Sequence, residues 1–395
     1  MADTAPGRRG FLRSFCGHCM GLAGLAYGLD AVAQAAAPVA PVTGRFLRPG
    51  IETEEGGLWG MMDREETRLR RSPFAIRDAE LNRYVQDIVC RLGGDHCPDV
   101  RVYLVRTPMI NATMAPNGMM QVWSGLLLRV ENEAQLAAVL GHEIGHYMER
   151  HTLERLRDIK SRSAAAQIMG MFGAIGALGQ LGVMAGAFSF SREQESSADR
   201  IGVGLMQKAG YEGRQAALVW DNLLGELKIK GGENAGTRNP MMASHPPAET
   251  RRDDLLKISG TTSGNLGLDE FRKATAAHRL GWLQDEVKRG QYEESLVLFD
   301  RLIKQSPSDA QLLYARGEVY RQRATQADET LALADLDAAA GLQNPPPEAF
   351  RALGLLQKKR QSAGPAVESF EKYLAAAPTA PDAELIKTYV SELKP

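Results

Sequence analysis

Apolar residues recur at helical spacing through Leu81, Tyr84, Val85, Ile88, Val89 and Leu92. This stripe predicts an amphipathic helix that opens at Asp78 and closes at Gly93-Gly94. Val100 to Val105 then reads as a strand, and Ile110 to Trp123 reads as a hairpin turning at Asn117-Gly118. Asn132 is placed to cap the next helix, with Gln135 as its reciprocal partner, and Leu136, Val139 and Leu140 supply its apolar face. Ser191 and Gln194 repeat that capping pattern ahead of a later helix.

Between these two helices, Ser163 to Ser191 runs for 29 residues without a charge, long enough to cross a bilayer. Glycine at 170, 173, 176, 179 and 182 weakens it as a helix. The reading is a mobile, partly buried segment that covers a cleft or touches a membrane surface, with a true span as the alternative. At the other end of the chain, Gly290, Tyr292, Phe299 and Pro307, then Gly317 and Tyr320, then Phe350, Leu353, Gly354, Ala366, Phe370 and Pro378 recur with a period of about 34 residues. An insertion ending in Pro345-Pro346-Pro347 separates the second set from the third. The pattern resembles tetratricopeptide repeats, with a last helix near 381–393 capping the stack.

The chain has 395 residues, 44% apolar and 24% charged, with a net charge of −1. That balance excludes a nucleic-acid binder driven by bulk positive charge. Arg8-Arg9-Gly10-Phe11-Leu12-Arg13 precedes a weakly apolar stretch ending at Ala33-Gln34-Ala35, which resembles a twin-arginine export signal over residues 1–35. Residues 36–57, rich in Pro, Gly and Ala, read as a linker or arm. Cys16 and Cys19 would leave with the signal. In an oxidising compartment Cys90 and Cys97 are expected to form a disulfide, two unpaired structural thiols being the alternative.

The chemistry starts at His142-Glu143-Ile144-Gly145-His146. Residues four apart on a helix lie one above the other, so both imidazoles can reach one zinc ion, with Glu143 beside the position of a reacting water. Catalytic zinc needs a third protein ligand and an open site. His151 lies nine residues beyond His142. At about 100° per residue that is the opposite helix face, so His151 reads as a solvated or packing residue. Glu195 is the expected third ligand, and Asp199, one turn further on, is expected to accept the outer ring N–H of a ligand histidine. Ala198 and Gly202 are small enough for the two helices to approach closely.

The spellings HEIGH and SREQESSAD resemble the zinc metallopeptidase family that includes HtpX and the CAAX prenyl endopeptidases. Asn111-Ala112, Gly125-Leu126-Leu127 and His245-Pro246-Pro247 with Arg251 match that family in order, over about residues 75 to 255. The resemblance implies one zinc ion per chain and an extended polypeptide substrate paired with the edge strand at Asn111, Ala112 and Thr113. It also implies Glu143 as general base. His245 and Arg251 would stabilise the oxyanion or hold substrate backbone; alternatively His245 occupies the open zinc position, or the pair merely buttresses a loop.

The expected fold is α+β: a mainly helical zincin-like domain with a small sheet at 58–268, followed by an all-α solenoid at 269–395. The pairing of these modules is similar to the periplasmic β-barrel assembly-enhancing type of this family. It implies an exported metalloendopeptidase that cleaves misassembled envelope proteins, with the repeats docking substrates or outer-membrane assembly machinery. The alternative is a periplasmic chaperone or scaffold whose metal site is latent or structural.

Overall fold

The computed structural model describes residues 45–158, 190–227, 241, 244–245, 250–261 and 263–394. The export signal, the first part of the arm, the glycine-rich segment before Phe190 and the Pro246-Pro247 pair lie outside the described residues. The remainder is an α+β structure of many helices and one three-stranded sheet, with an all-helical carboxy-terminal region. Among the described residues no helix is long and apolar enough to cross a membrane.

Helix α1 (Glu54–Arg71) is capped by Thr53, whose side chain accepts from the Gly56 amide. It starts inside the segment read as an arm, and its sequence barely announces it. It buries Trp59, Met62 and Leu69, yet also Glu65 and Glu66. Glu66 is accommodated because its carboxylate takes two bonds of 2.7 Å from Arg101 and one of 2.6 Å from the Tyr103 hydroxyl. Helix α2 (Ala79–Gly93) opens at Asp78, whose side chain accepts from the amides of Glu80 and Leu81, and it ends at Gly94. A disulfide joins Cys90 at its end to Cys97 in the short 3-10 turn that follows.

Strand β1 (Arg101–Val105) runs parallel to β3 (Met119–Trp123), and β2 (Ala112–Met114) pairs antiparallel with β3, giving the order β1-β3-β2. The hairpin turns where expected. Gly118 has a φ of +87°, and a Cβ there would meet the Asp99 carbonyl at 2.0 Å, so the position requires glycine. Strand β3 is buried on both faces: Met120 and Val122 join the core under α2, while Met119 and Trp123 pack with Met62 and Leu69 of α1. β2 is left at the edge.

After the short α3 (Ser124–Arg129), α4 (Glu133–Met148) is buried along its whole length. Asn132 caps it by accepting from the Gln135 amide, but the Gln135 side chain accepts from Glu131, one residue before the cap. α5 (His151–Asp158) follows a sharp reversal; α6 (Arg192–Lys208) carries the full reciprocal cap of Ser191 and Gln194. α7 (Gln215–Leu227) and α8 (Arg251–Ser259) close the amino-terminal half.

Three helix pairs and a last helix complete the chain. They are α9 (Leu268–Lys288) with α10 (Tyr292–Gln305), α11 (Ala310–Arg323) with α12 (Asp328–Gly341), α13 (Pro347–Lys359) with α14 (Ala363–Ala376), and α15 (Ala383–Leu393). Glycine again permits close packing, since a Cβ on Gly354 would lie 2.6 Å from the Phe370 ring. The first pair shares one continuous core with the amino-terminal half, Phe271, Trp282, Leu283, Leu298 and Phe299 packing with the residues around α2 and α4. A buried ion network runs through that seam. Arg129 contacts Glu226 of α7 at 2.7 Å and Glu286 of α9 at 3.0 Å, and Arg301 of α10 reaches Glu226 at 3.0 Å.

Burial opposes the charge on Glu286, but Arg129 and Arg289 outweigh it and hold its carboxyl below the usual range. A depressed folded-state value means that the stabilisation is complete above the unfolded-state pKa of about 4.3 and is lost as pH falls through the lower folded value. Glu286→Gln should therefore cost about 3 kcal/mol in denaturant melts at pH 7, because Arg129 loses a buried partner. The difference from wild type should shrink below about pH 4. An unchanged melt at neutral pH would show that the network does not hold the seam.

Candidate metal centre

The site is built where α4 and α6 cross. Glycine and alanine line both sides of the crossing: a Cβ on Gly145 would lie 2.8 Å from the Ala198 carbonyl, and one on Gly202 would lie 2.8 Å from the His142 amide nitrogen. Backbone contact of this kind brings short acidic side chains of one helix onto the histidines of the other.

His142 and His146 stand one turn apart with their Nε2 atoms 3.1 Å apart. Glu195 of α6 approaches both, with Oε2 3.6 Å from His142 Nε2 and Oε1 3.4 Å from His146 Nε2. Asp199 Oδ1 lies 2.8 Å from His142 Nδ1, so the carboxylate accepts the ring proton there and leaves Nε2 as a lone pair. His245 enters the same cluster. Its Nδ1 is 2.8 Å from Glu195 Oε1 and 3.2 Å from His142 Nε2, and its Nε2 is 3.3 Å from Glu143 Oε1. One donor atom from each of His142, His146, Glu195 and His245 falls within 4.8 Å of the others, and all four residues are buried.

This arrangement fits a divalent metal ion on its own evidence. Ring nitrogens and a carboxylate oxygen converge out of water, where lone pairs facing one another repel unless a cation or a proton lies between them. Ring nitrogens and carboxylate oxygens are donors that zinc takes, three protein ligands leaving a position open and four closing the site.

The electrostatics separate the carboxylates. Burial pushes the Glu143 carboxyl up, against the pull of His245 and His142. Burial also opposes charge on Glu195, but the adjacent His245, His146 and His142 overcome it and hold that carboxyl far below its usual range. For Asp199, Arg251 and His142 likewise outweigh burial and lower the carboxyl. On His245 the carboxylates of Glu195 and Glu143 outweigh burial and raise the imidazole, whereas His146 is driven well down, chiefly by burial.

Arg251 lies beside Glu195 and Asp199. Its guanidinium contacts Glu195 Oε2 and Asp199 Oδ1, both at 2.7 Å, and sits 3.7 Å above the Trp220 ring. Ala112 and Thr113 lie on the edge strand β2, which packs on α4, and Asn111 immediately precedes it. Among the described residues, Asn111 Oδ1 and Thr113 Oγ1 are buried there without a hydrogen-bond partner.

Three residues escaped the sequence reading. Trp220 lies edge-on to His142 and carries Arg251, and Phe190 stacks on His146 at 3.9 Å. The third, His151, reads from its spacing as a solvated or packing residue on the opposite helix face; it is buried, as a packing residue would be, but it faces the cluster, its Nδ1 2.9 Å from His146 Nδ1. Counting at helical pitch fails because α4 ends at Met148 and Arg150 turns the chain with a φ of +57°. Burial lowers the His151 imidazole.

Residues 75–259 match Peptidase family M48. This stretch is an M48 peptidase domain. The chain is similar to the beta-barrel assembly-enhancing protease of Escherichia coli strain K12, 28% identical over 204 residues that make up 47% of this chain and 40% of that protein. It is similar to the protein of that name from Yersinia pestis, 25% identical over 386 residues, 85% of this chain and 78% of that one. It also resembles the mitochondrial metalloendopeptidase OMA1 of Arabidopsis thaliana, 31% identical over 158 residues, 40% of this chain and 31% of that one. The chain thus spans less than half the length of the first and third of these curated relatives. The second likeness, covering 85% of this chain, extends beyond the M48 stretch into the helix pairs.

The crossing of the M48 helices yields a prediction. Gly202→Ala should destabilise the fold by about 1–3 kcal/mol by overpacking, and should weaken metal binding because Glu195 is pushed away from the imidazoles. Gly204→Ala, on the same helix but facing open space, should instead add up to about 1 kcal/mol from helix propensity and leave metal binding alone. Equal effects of the two substitutions in thermal melts and metal titrations would remove the packing argument.

Proposed function

We propose that this protein is an exported, zinc-dependent metalloendopeptidase acting on misfolded or misassembled envelope proteins. The observation that carries the reading is the convergence of His142, His146 and Glu195 beside a buried Glu143. His142, His146 and Glu195 would hold the ion. Bound there, zinc would supply Lewis acidity to the scissile carbonyl and to a water molecule.

Glu143 accepts the proton of the attacking water and returns it to the leaving amine nitrogen; burial raises its carboxyl, which favours retention of the proton between the two steps. Asp199 keeps the Nδ1 proton on His142, so that Nε2 stays a donor. Arg251 offsets the buried charge of Glu195 and Asp199. An extended substrate lies along β2 and pairs with its free edge through main-chain bonds, where the unpartnered Asn111 and Thr113 side-chain oxygens supply further acceptors. The helix pairs act as tetratricopeptide-like repeats that dock clients or assembly partners, a role that the paired-helix architecture supports. The paired arginines at Arg8-Arg9 and the Cys90–Cys97 disulfide support the periplasm as its location.

A second reading concerns His245 alone. Its Nδ1 lies among the ligand atoms, 2.8 Å from Glu195 Oε1, so in this state it would fill the position that substrate needs and block the enzyme.

Purified protein loaded with zinc should cleave unfolded casein. Glu143→Gln should keep the ion and lose about 10²–10⁴-fold in rate. His245→Ala should raise hydrolysis if the histidine blocks the site and lower kcat if it stabilises the oxyanion. Absence of cleavage by the wild type and by His245→Ala alike, with zinc bound in both, would favour a chaperone or scaffold.

A further inference from the structure

We infer that His151 is a positioning residue for the metal centre: its Nδ1 accepts the Nδ1 proton of His146 and so commits His146 Nε2 to the ion. The inference rests on the reading that His146 binds metal. Four observations carry it.

The two Nδ1 atoms are 2.9 Å apart, within hydrogen-bond distance, and both rings are buried, so the contact is shielded from water. A neutral imidazole has one donor and one acceptor nitrogen. His146 directs Nε2 toward His142 and Glu195, so its proton belongs on Nδ1. His151 must then offer the Nδ1 lone pair and carry its own proton on Nε2. The arrangement parallels His142, whose Nδ1 lies 2.8 Å from Asp199. Each ligand histidine thus has its outer nitrogen engaged, one by a carboxylate and the other by a neutral ring.

The backbone is bent to achieve this. Arg150 adopts a φ of +57°, a left-handed conformation that is uncommon for residues other than glycine. It is held by an ion pair with Glu55 of α1 and by contact with the Phe46 ring, 5.2 Å from the guanidinium. The reversal carries His151 back beside the helix it has just left. Phe190, stacked on His146 at 3.9 Å, keeps that ring from rotating away from His151. Outer partners of this kind change metal affinity by about 10–100-fold when removed.

The test compares three proteins by zinc affinity, measured on full-length, metal-free samples in competition with a chromophoric chelator, so that catalysis is not the readout. His151→Leu fills the space and removes the acceptor; it should bind zinc about 10–100-fold more weakly than wild type. His151→Asn places an amide oxygen where Nδ1 stood and should recover most of the loss. Melting temperatures of the metal-free proteins should match, and His151→Ala replaces the leucine variant should that variant fail to fold. Wild-type affinity in the leucine or alanine variant would overturn the assignment, as would an equal loss in that variant and the asparagine variant, which would mark His151 as packing only. Failure of the wild type itself to bind zinc would overturn the metal reading and this inference together.

Discussion

Two helices touch backbone to backbone at Gly141, Gly145, Ala198 and Gly202, and the chemistry of the protein depends on that contact. A carboxylate on a glutamate or aspartate reaches only a few ångströms from its own helix. With ordinary side chains at the crossing, Glu195 and Asp199 would sit too far from His142 to act on it. The crossing also concentrates charge. Glu143, Glu195 and Asp199 are buried together, and Arg251 is the cation among them. A buried cluster of this composition calls for added positive charge, supplied by a metal ion or by protonated histidines. The raised imidazole of His245 expresses the same demand, with a proton answering it where the ion would otherwise do so.

The second consequence of packing lies at the other side of the domain. The first helix pair of the carboxy-terminal region does not hang from the M48 domain by a linker; it completes the same core and contributes Glu286 to a fully buried pair with Arg129. The position of that pair relative to β2 is therefore set by packing and not by a flexible tether.

The parts of the fold set by local rules were legible beforehand. α2 announced itself through its apolar stripe and Asp78, the hairpin through Asn117-Gly118, and α6 through Ser191 and Gln194. The HEIGH spelling and the acidic pair at Glu195 and Asp199 mark positions that the structure brings together, because residues one turn apart share a face. What escaped depends on contacts between distant segments. α1 is anchored by a buried Glu66 whose partner, Arg101, belongs to a strand, so its own sequence looks too polar. Trp220 shows no motif and gains meaning only beneath Arg251. His151 was misplaced because counting by helical pitch assumes an unbroken helix, and the turn at Arg150 is held by Glu55, far back in the chain.

Under the proposed function, the two glutamates at the centre would divide tasks between like groups. Both are buried, and burial alone would raise both. Glu195 stands against three imidazoles and Arg251, and that company keeps it ionised. Glu143 has less favourable company, including the repulsion of Glu195 itself, and ends above its usual value. A permanently charged carboxylate suits a ligand, which must not lose its electron pair to a proton. A carboxyl nearer neutrality suits a base that must also return the proton it takes. The separation arises from geometry: Glu195 approaches the histidines from the opposite helix, while Glu143 shares their helix and projects beside them.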